Sequence, residues 1–102
     1  MKVIEEKDFD EEIKSGRVIV DFFATWCMPC KMMGQIFERM EDNLDSDVKI
    51  VKVDVDESET VSRKFGVLSI PTLVFFKDGE MFEKHVGLMQ EDQVLDILEK
   101  MK

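Results

Sequence analysis

Cys27 and Cys30 are the only two cysteines in the chain, and Met28 and Pro29 separate them. A thiol pair at this spacing can form a disulfide, supply half of a metal site, or remain as two inert buried thiols. A four-ligand zinc site needs two further Cys or His ligands, and His85 is the one histidine present. Covalent haem attachment requires a histidine directly after the second cysteine, where Lys31 stands. Dithiol chemistry and inert thiols are therefore the two readings that the bare C-x-x-C leaves open.

The local pattern favours reactivity. The segment Val18–Phe23 is β-branched and aromatic and reads as a buried strand. Beyond Cys30, Met33, Ile36, Phe37, Met40 and Leu44 recur at helical spacing. The cysteines thus fall at a strand-to-helix junction, with Pro29 in the first helical turn, where its missing N–H costs nothing. The unpaired N–H groups of a helix N-terminus favour a thiolate at Cys27. Moving a thiol from about 8.5 to about 7 requires only about 2 kcal/mol, and a moderate shift keeps the sulfur nucleophilic.

Two charged residues stand within apolar strands. Asp21 lies inside the strand that precedes the cysteines, where a carboxylate is costly unless paired or protonated. Either it caps a bend and reaches the surface, or it is a buried acid. Lys52 interrupts the apolar run Val48–Val53, and its simplest reading is a solvent-facing strand lysine. Trp26, the one tryptophan, reads equally as a core aromatic or a contact residue. The bare Ile70-Pro71 bond is expected to be trans, because cis forms are only about 5–6% of X–Pro bonds.

The remaining elements follow from periodicity and turn signals. Met1–Ile4 is a short edge strand. Asp8 and Glu11 have capping-box spacing ahead of a helix that ends at Gly16. Asp56 and Glu59 repeat that spacing ahead of a short helix carrying Val61 and Phe65 and closed by Gly66. Thr72–Phe76 and Glu80–Val86 are strands joined by an Asp78-Gly79 hairpin. A last helix runs from about Gln90 to Met101. The order β-α-β-α-β-α-β-β-α predicts an α/β fold, with parallel pairing, right-handed crossovers and one antiparallel hairpin. Its 102 residues fit a single domain, 1–102.

Composition narrows the function. A net charge of −9 disfavours nucleic-acid backbones and anionic membrane surfaces, so neither is expected as a partner. No apolar run is long enough to span a bilayer or act as an export signal, and the expected location is cytoplasmic. In that compartment a cysteine pair is expected to be catalytic rather than a structural staple.

The segment from Asp21 to Lys31, with Trp26-Cys27-Met28-Pro29-Cys30 at its centre, resembles the active-site segment of the thioredoxin family. Ile70-Pro71-Thr72 resembles that family's cis-proline loop, and Phe76-Lys77-Asp78-Gly79 its late hairpin. The likeness extends over essentially the whole chain. It implies the thioredoxin fold, a central mixed five-stranded sheet flanked by four helices. It implies a protein-disulfide reductase in which Cys27 attacks, Cys30 resolves, and an external thioredoxin reductase-like enzyme restores the dithiol. No cofactor is implied beyond the redox-active Cys27–Cys30 disulfide, and the expected state is a monomer that meets disulfide-containing proteins. By the same resemblance Asp21 is a buried acid that assists proton transfer at Cys30, and Lys52 is its neighbour. Pro71 becomes cis, and Trp26, Met28, Pro29, Ile70, Val86, Gly87 and Leu88 form an apolar contact surface. Met28 departs from the family's usual glycine, Phe23 from a common tryptophan, and Gln35 from a frequent helix-kinking proline. An oxidase or isomerase on the same fold, and a non-catalytic binding subunit, are the alternatives. A redox equilibration separates the first, and tolerance to loss of both cysteines the second.

Overall fold

Strand β2, Arg17–Phe23, is buried at every position, and the rest of the molecule is arranged around it. The computed structural model describes residues 1–102. In chain order the elements are β1 (Lys2–Val3), α1 (Phe9–Ile13, entered through a 3-10 turn at Glu6–Asp8), β2, α2 (Met28–Glu41), β3 (Val48–Asp54), α3 (Glu59–Lys64), β4 (Thr72–Lys77), β5 (Glu80–Val86) and α4 (Glu91–Lys100). The strands form one sheet in the order β1-β3-β2-β4-β5. The first three are mutually parallel, and β4 and β5 are added antiparallel. This is the α/β architecture expected from the element order, with four α-helices.

Alternation along β2 divides the core between the two faces of the sheet. Ile19 packs with Met33, Phe37, Ile50, Leu73, Phe75, Val94 and Leu98, beneath α2 and α4. Val18, Val20 and Phe22 pack with Phe9, Ile13, Val51, Val61, Val74 and Phe76, beneath α1 and α3. A strand buried on both faces reads as a continuous apolar run, and Asp21 within it is fully buried. The strand starts at Arg17, one residue before its apolar run. Its buried guanidinium is held by Asp47 at 2.7 and 2.8 Å, by Asp45, and by the Leu98 carbonyl at 2.7 Å.

Helix starts are where the expected details change. Asp8 precedes α1 but its side chain makes no capping hydrogen bond, because the chain enters through the 3-10 turn in helical conformation. At α3 the N-cap is Ser58 rather than Asp56. The Val61 amide there is satisfied by Glu6 Oε1 at 2.7 Å, a carboxylate 55 residues away. At α4 the Gln90 amide donates to Gln93 Oε1 at 3.0 Å, the side-chain half of a capping box. Asp78 and Gly79 both take positive φ, 49° and 87°, as a two-residue hairpin turn requires. Asp78 Oδ1 also accepts the Gly16 amide at 2.8 Å. Gly16 is itself at φ +74°, and a Cβ there would lie 2.6 Å from the Asp47 carbonyl oxygen.

Candidate active site

The β2 backbone leaves the sheet at Phe23 and turns into α2, and this junction positions the cysteines. Cys27 is the N-cap of α2, in extended conformation, and its Sγ accepts the Cys30 amide at 3.2 Å. A thiolate at Cys27 would occupy the same seat and be stabilised by the same N–H and by the helix dipole. Cys27 and Cys30 are joined as a disulfide with their Cα atoms 5.3 Å apart. Cys27 is 5% exposed and Cys30 2%. The pair is thus asymmetric: Cys27 lies at the helix mouth, and Cys30 is one turn further in.

Ile70 and Pro71 face the disulfide from the start of β4. The bond between them is cis, as the family resemblance implied and the bare sequence did not. The Ile70 carbonyl oxygen lies 4.0 Å from Cys27 Sγ, and the Gly87 amide donates to the Pro71 carbonyl at 2.8 Å. Pro71 is buried, and Ile70 and Gly87 are half-buried. The structure therefore brings Cys27, Pro29, Ile70, Pro71 and Gly87 to one end of the sheet.

Trp26 is not a core residue. It is 70% exposed, and its Nε1 donates to Asp56 Oδ2 at 2.9 Å. That contact accounts for Asp56, whose spacing from Glu59 had suggested a helix cap. Asp56 is the site neighbour that the sequence reading missed, since nothing local couples residues 30 apart. Met28 is 65% exposed, and Leu68, Met32 and Val86 extend the apolar rim. His85 is half-buried, with Nε2 3.4 Å from the Leu88 carbonyl oxygen.

Asp21 lies wholly inside, on the same sheet face as α2. It is 0% exposed, and neither carboxylate oxygen has a hydrogen-bond partner. Burial pushes its pKa from 3.8 up to about 7, and the charge of Lys52 pulls it partly back. Lys52 is paired with Asp21 across the β2–β3 register and is half-buried. Its ammonium makes no ion pair with that carboxylate. Instead it sits 4.3 Å from the centroid of the Phe23 ring, which offers the ammonium an attractive π face. The solvent-facing reading of Lys52 is thereby replaced by a side chain laid along the inner end of the site.

A cavity of about 230 Å³ is lined by Phe23, Ala24, Thr25, Cys30, Lys31 and Lys52. No group of three or more His, Cys, Asp or Glu side chains converges as a metal ion would require. The arrangement offers a disulfide that can accept or deliver two electrons, an unpartnered buried acid to buffer a proton, and an apolar rim around the first sulfur.

Residues 1–100 match the family model for thioredoxin. A thioredoxin from Staphylococcus haemolyticus is 44% identical over 97 residues, which cover 95% of this chain and 93% of that protein. A thioredoxin from Staphylococcus aureus is 40% identical over the same shares. Among solved structures, a thioredoxin mutant from Halobacterium salinarum superposes with a TM-score of 0.86 at 36% identity, covering 98% of this chain and 88% of the other. A thioredoxin from Malassezia sympodialis superposes with a TM-score of 0.82 at 34% identity, covering 100% and 91%.

Proposed function

The chain belongs to the thioredoxin family, a thiol–disulfide oxidoreductase working through its Cys27–Cys30 pair, and we propose from that premise that it serves as a general protein-disulfide reductase. In this reading residues 1–102 act as one domain and as a monomer in the cytoplasm, where a reducing pool keeps the dithiol available. No helix is long and apolar enough to cross a membrane.

The Cys27 thiolate attacks one sulfur of a substrate disulfide. That S–S bond breaks, one substrate cysteine leaves as a thiolate, and Cys27 is held in a mixed disulfide. Cys30 then loses its proton and attacks Cys27 Sγ. The second substrate sulfur leaves as a thiolate that takes a proton from solvent, two electrons have passed to the substrate, and the Cys27–Cys30 disulfide is the oxidised product. Asp21 accepts the Cys30 proton. Lys52 stabilises the ionised form of Asp21 without locking it in an ion pair. A thioredoxin reductase-like partner returns the two electrons.

Trp26, Met28, Pro29, Ile70, Pro71 and Gly87 form the face on which substrate docks. An extended substrate segment pairs with the Ile70 main chain beside Cys27, so affinity comes from backbone contacts and apolar burial rather than sequence. The observation that carries the reading is Cys27 as N-cap of α2, its sulfur aimed at a backbone N–H and ringed by exposed apolar side chains.

Removing the resolving thiol tests it. Cys30→Ser should accumulate mixed disulfides between Cys27 and substrate proteins, seen as a mass adduct released by dithiothreitol. Attack on substrate without any persistent adduct would contradict the assigned order of the two sulfurs.

A further inference from the structure

The chain has eight methionines, and their exposure separates them sharply. Met33, Met40, Met89 and Met101 are at most 2% exposed, whereas Met28, Met32 and Met81 are 65%, 51% and 55% exposed. Met28 follows the N-cap Cys27 directly, and Met32 lies four residues on, one turn along the same face of α2. Met81 sits on β5 opposite Phe76, next to the hairpin, about 13 Å further along β4 than Thr72. Met28 thus borders Cys27 directly, and Met32 stands one turn along α2 from Met28 on the same exposed face.

We propose that Met28 and Met32 form a sulfoxidation site through which peroxide weakens protein docking while the disulfide form persists. The inference rests on the reading of this rim as the docking face. In the disulfide state neither cysteine offers a thiolate to an oxidant, and the two thioethers are accessible two-electron donors on the exposed face of the first turns of α2. Each reaction is balanced by one hydrogen peroxide. The O–O bond breaks, one oxygen bonds to the methionine sulfur, the other leaves as water, and the sulfur loses two electrons. A flexible apolar contact becomes a polar one whose oxygen must be desolvated for a substrate to dock. Both side chains point to solvent, so the core is untouched. Reduction of the sulfoxides restores the face.

The test uses the full chain as its disulfide, in wild-type form and as Met28→Leu/Met32→Leu and Met81→Leu. Each is treated with hydrogen peroxide and desalted, and its sulfoxides are located by peptide mass. Reduction of insulin and of a small soluble disulfide is then measured with dithiothreitol as electron source, each protein against its own untreated sample. The untreated wild-type rate tests the docking reading itself. Wild type and Met81→Leu should lose about fivefold in kcat/KM on insulin after treatment, the scale of an apolar contact forfeited. The double variant should keep its own untreated value, and the small disulfide should be reduced as before. The proposal is overturned if Met28 and Met32 resist oxidation while Met81 reacts, or if confirmed sulfoxides there leave insulin reduction unchanged. An equal loss in the double variant, or an equal loss on the small disulfide, also overturns it.

Discussion

Cys27→Ser should lower the catalysed rate of insulin reduction by at least about a thousandfold, to the background of dithiothreitol alone. A serine hydroxyl at the helix mouth stays protonated near neutral pH and is a poor nucleophile toward sulfur. The remaining thiol cannot substitute for it. Cys30 is 2% exposed and sits inside the first turn of α2, beneath the position of the attacking atom. The loss would not come from unfolding. Cys27 and Cys30 are three positions apart, and closing so short a loop contributes only about 2 kcal/mol. The variant should therefore keep a cooperative unfolding transition while its activity disappears. Retained activity would mean that the reacting sulfur is not Cys27.

The second large effect concerns stability and its dependence on pH. Asp21 has both oxygens without partners, and burial holds its pKa at about 7, against 3.8 for an ordinary aspartate. The folded chain therefore keeps this proton over a range in which the unfolded chain has released it. Between those two values the folded state binds more protons, so stability falls as pH rises from about 4 through about 7 and then levels off. The full penalty is roughly 4 kcal/mol. Asp21→Asn should lack this slope. The amide carries its own burial cost at every pH, so the informative quantity is the difference between the two proteins. Urea unfolding at pH 4.5 and pH 8 should show the variant gaining on wild type by several kcal/mol at the higher pH, as the exposed acids common to both cancel. Parallel pH profiles would show that Asp21 titrates as an ordinary carboxylate.

In the proposed exchange the same substitution removes the acceptor of the Cys30 proton. A carboxylate with a pKa near 7 is suited to accept a proton near neutral pH. Lys52 could have fixed it as an ion pair, but its ammonium rests against Phe23 instead. Phe23 stands where a tryptophan is common in the family, and here it supplies a π face for that cation.

Legibility in the sequence follows the range of the interaction. Cys27, Pro29 and Cys30 could be placed because the chemistry and the strand-to-helix punctuation lie within a few residues. The burial of Asp21 could be suspected from the apolar run on either side, but not settled, because an acid at a bend has the same neighbours in sequence. Registry across the sheet decided it: β2 has β3 on one side and β4 on the other. Asp56 was misread for the same kind of reason. An aspartate three residues before a glutamate matches the capping pattern, and only the folded chain reveals Trp26 30 residues away as its hydrogen-bond partner. Glu6 on the Val61 amide is another such long-range contact. The spread of exposure among the methionines was also hidden. Met32 and Met33 are adjacent in sequence, yet one is 51% exposed and the other 0%.

Disulfide exchange in this molecule depends on Cys27 being the reactive sulfur and Cys30 the shielded one. The most direct measurement is alkylation of the reduced chain with limiting iodoacetamide at pH 7, with the label followed at each cysteine by peptide mass. Cys27 should be modified at least about tenfold faster than Cys30. Equal rates at the two positions, both as slow as a buried thiol, would contradict it.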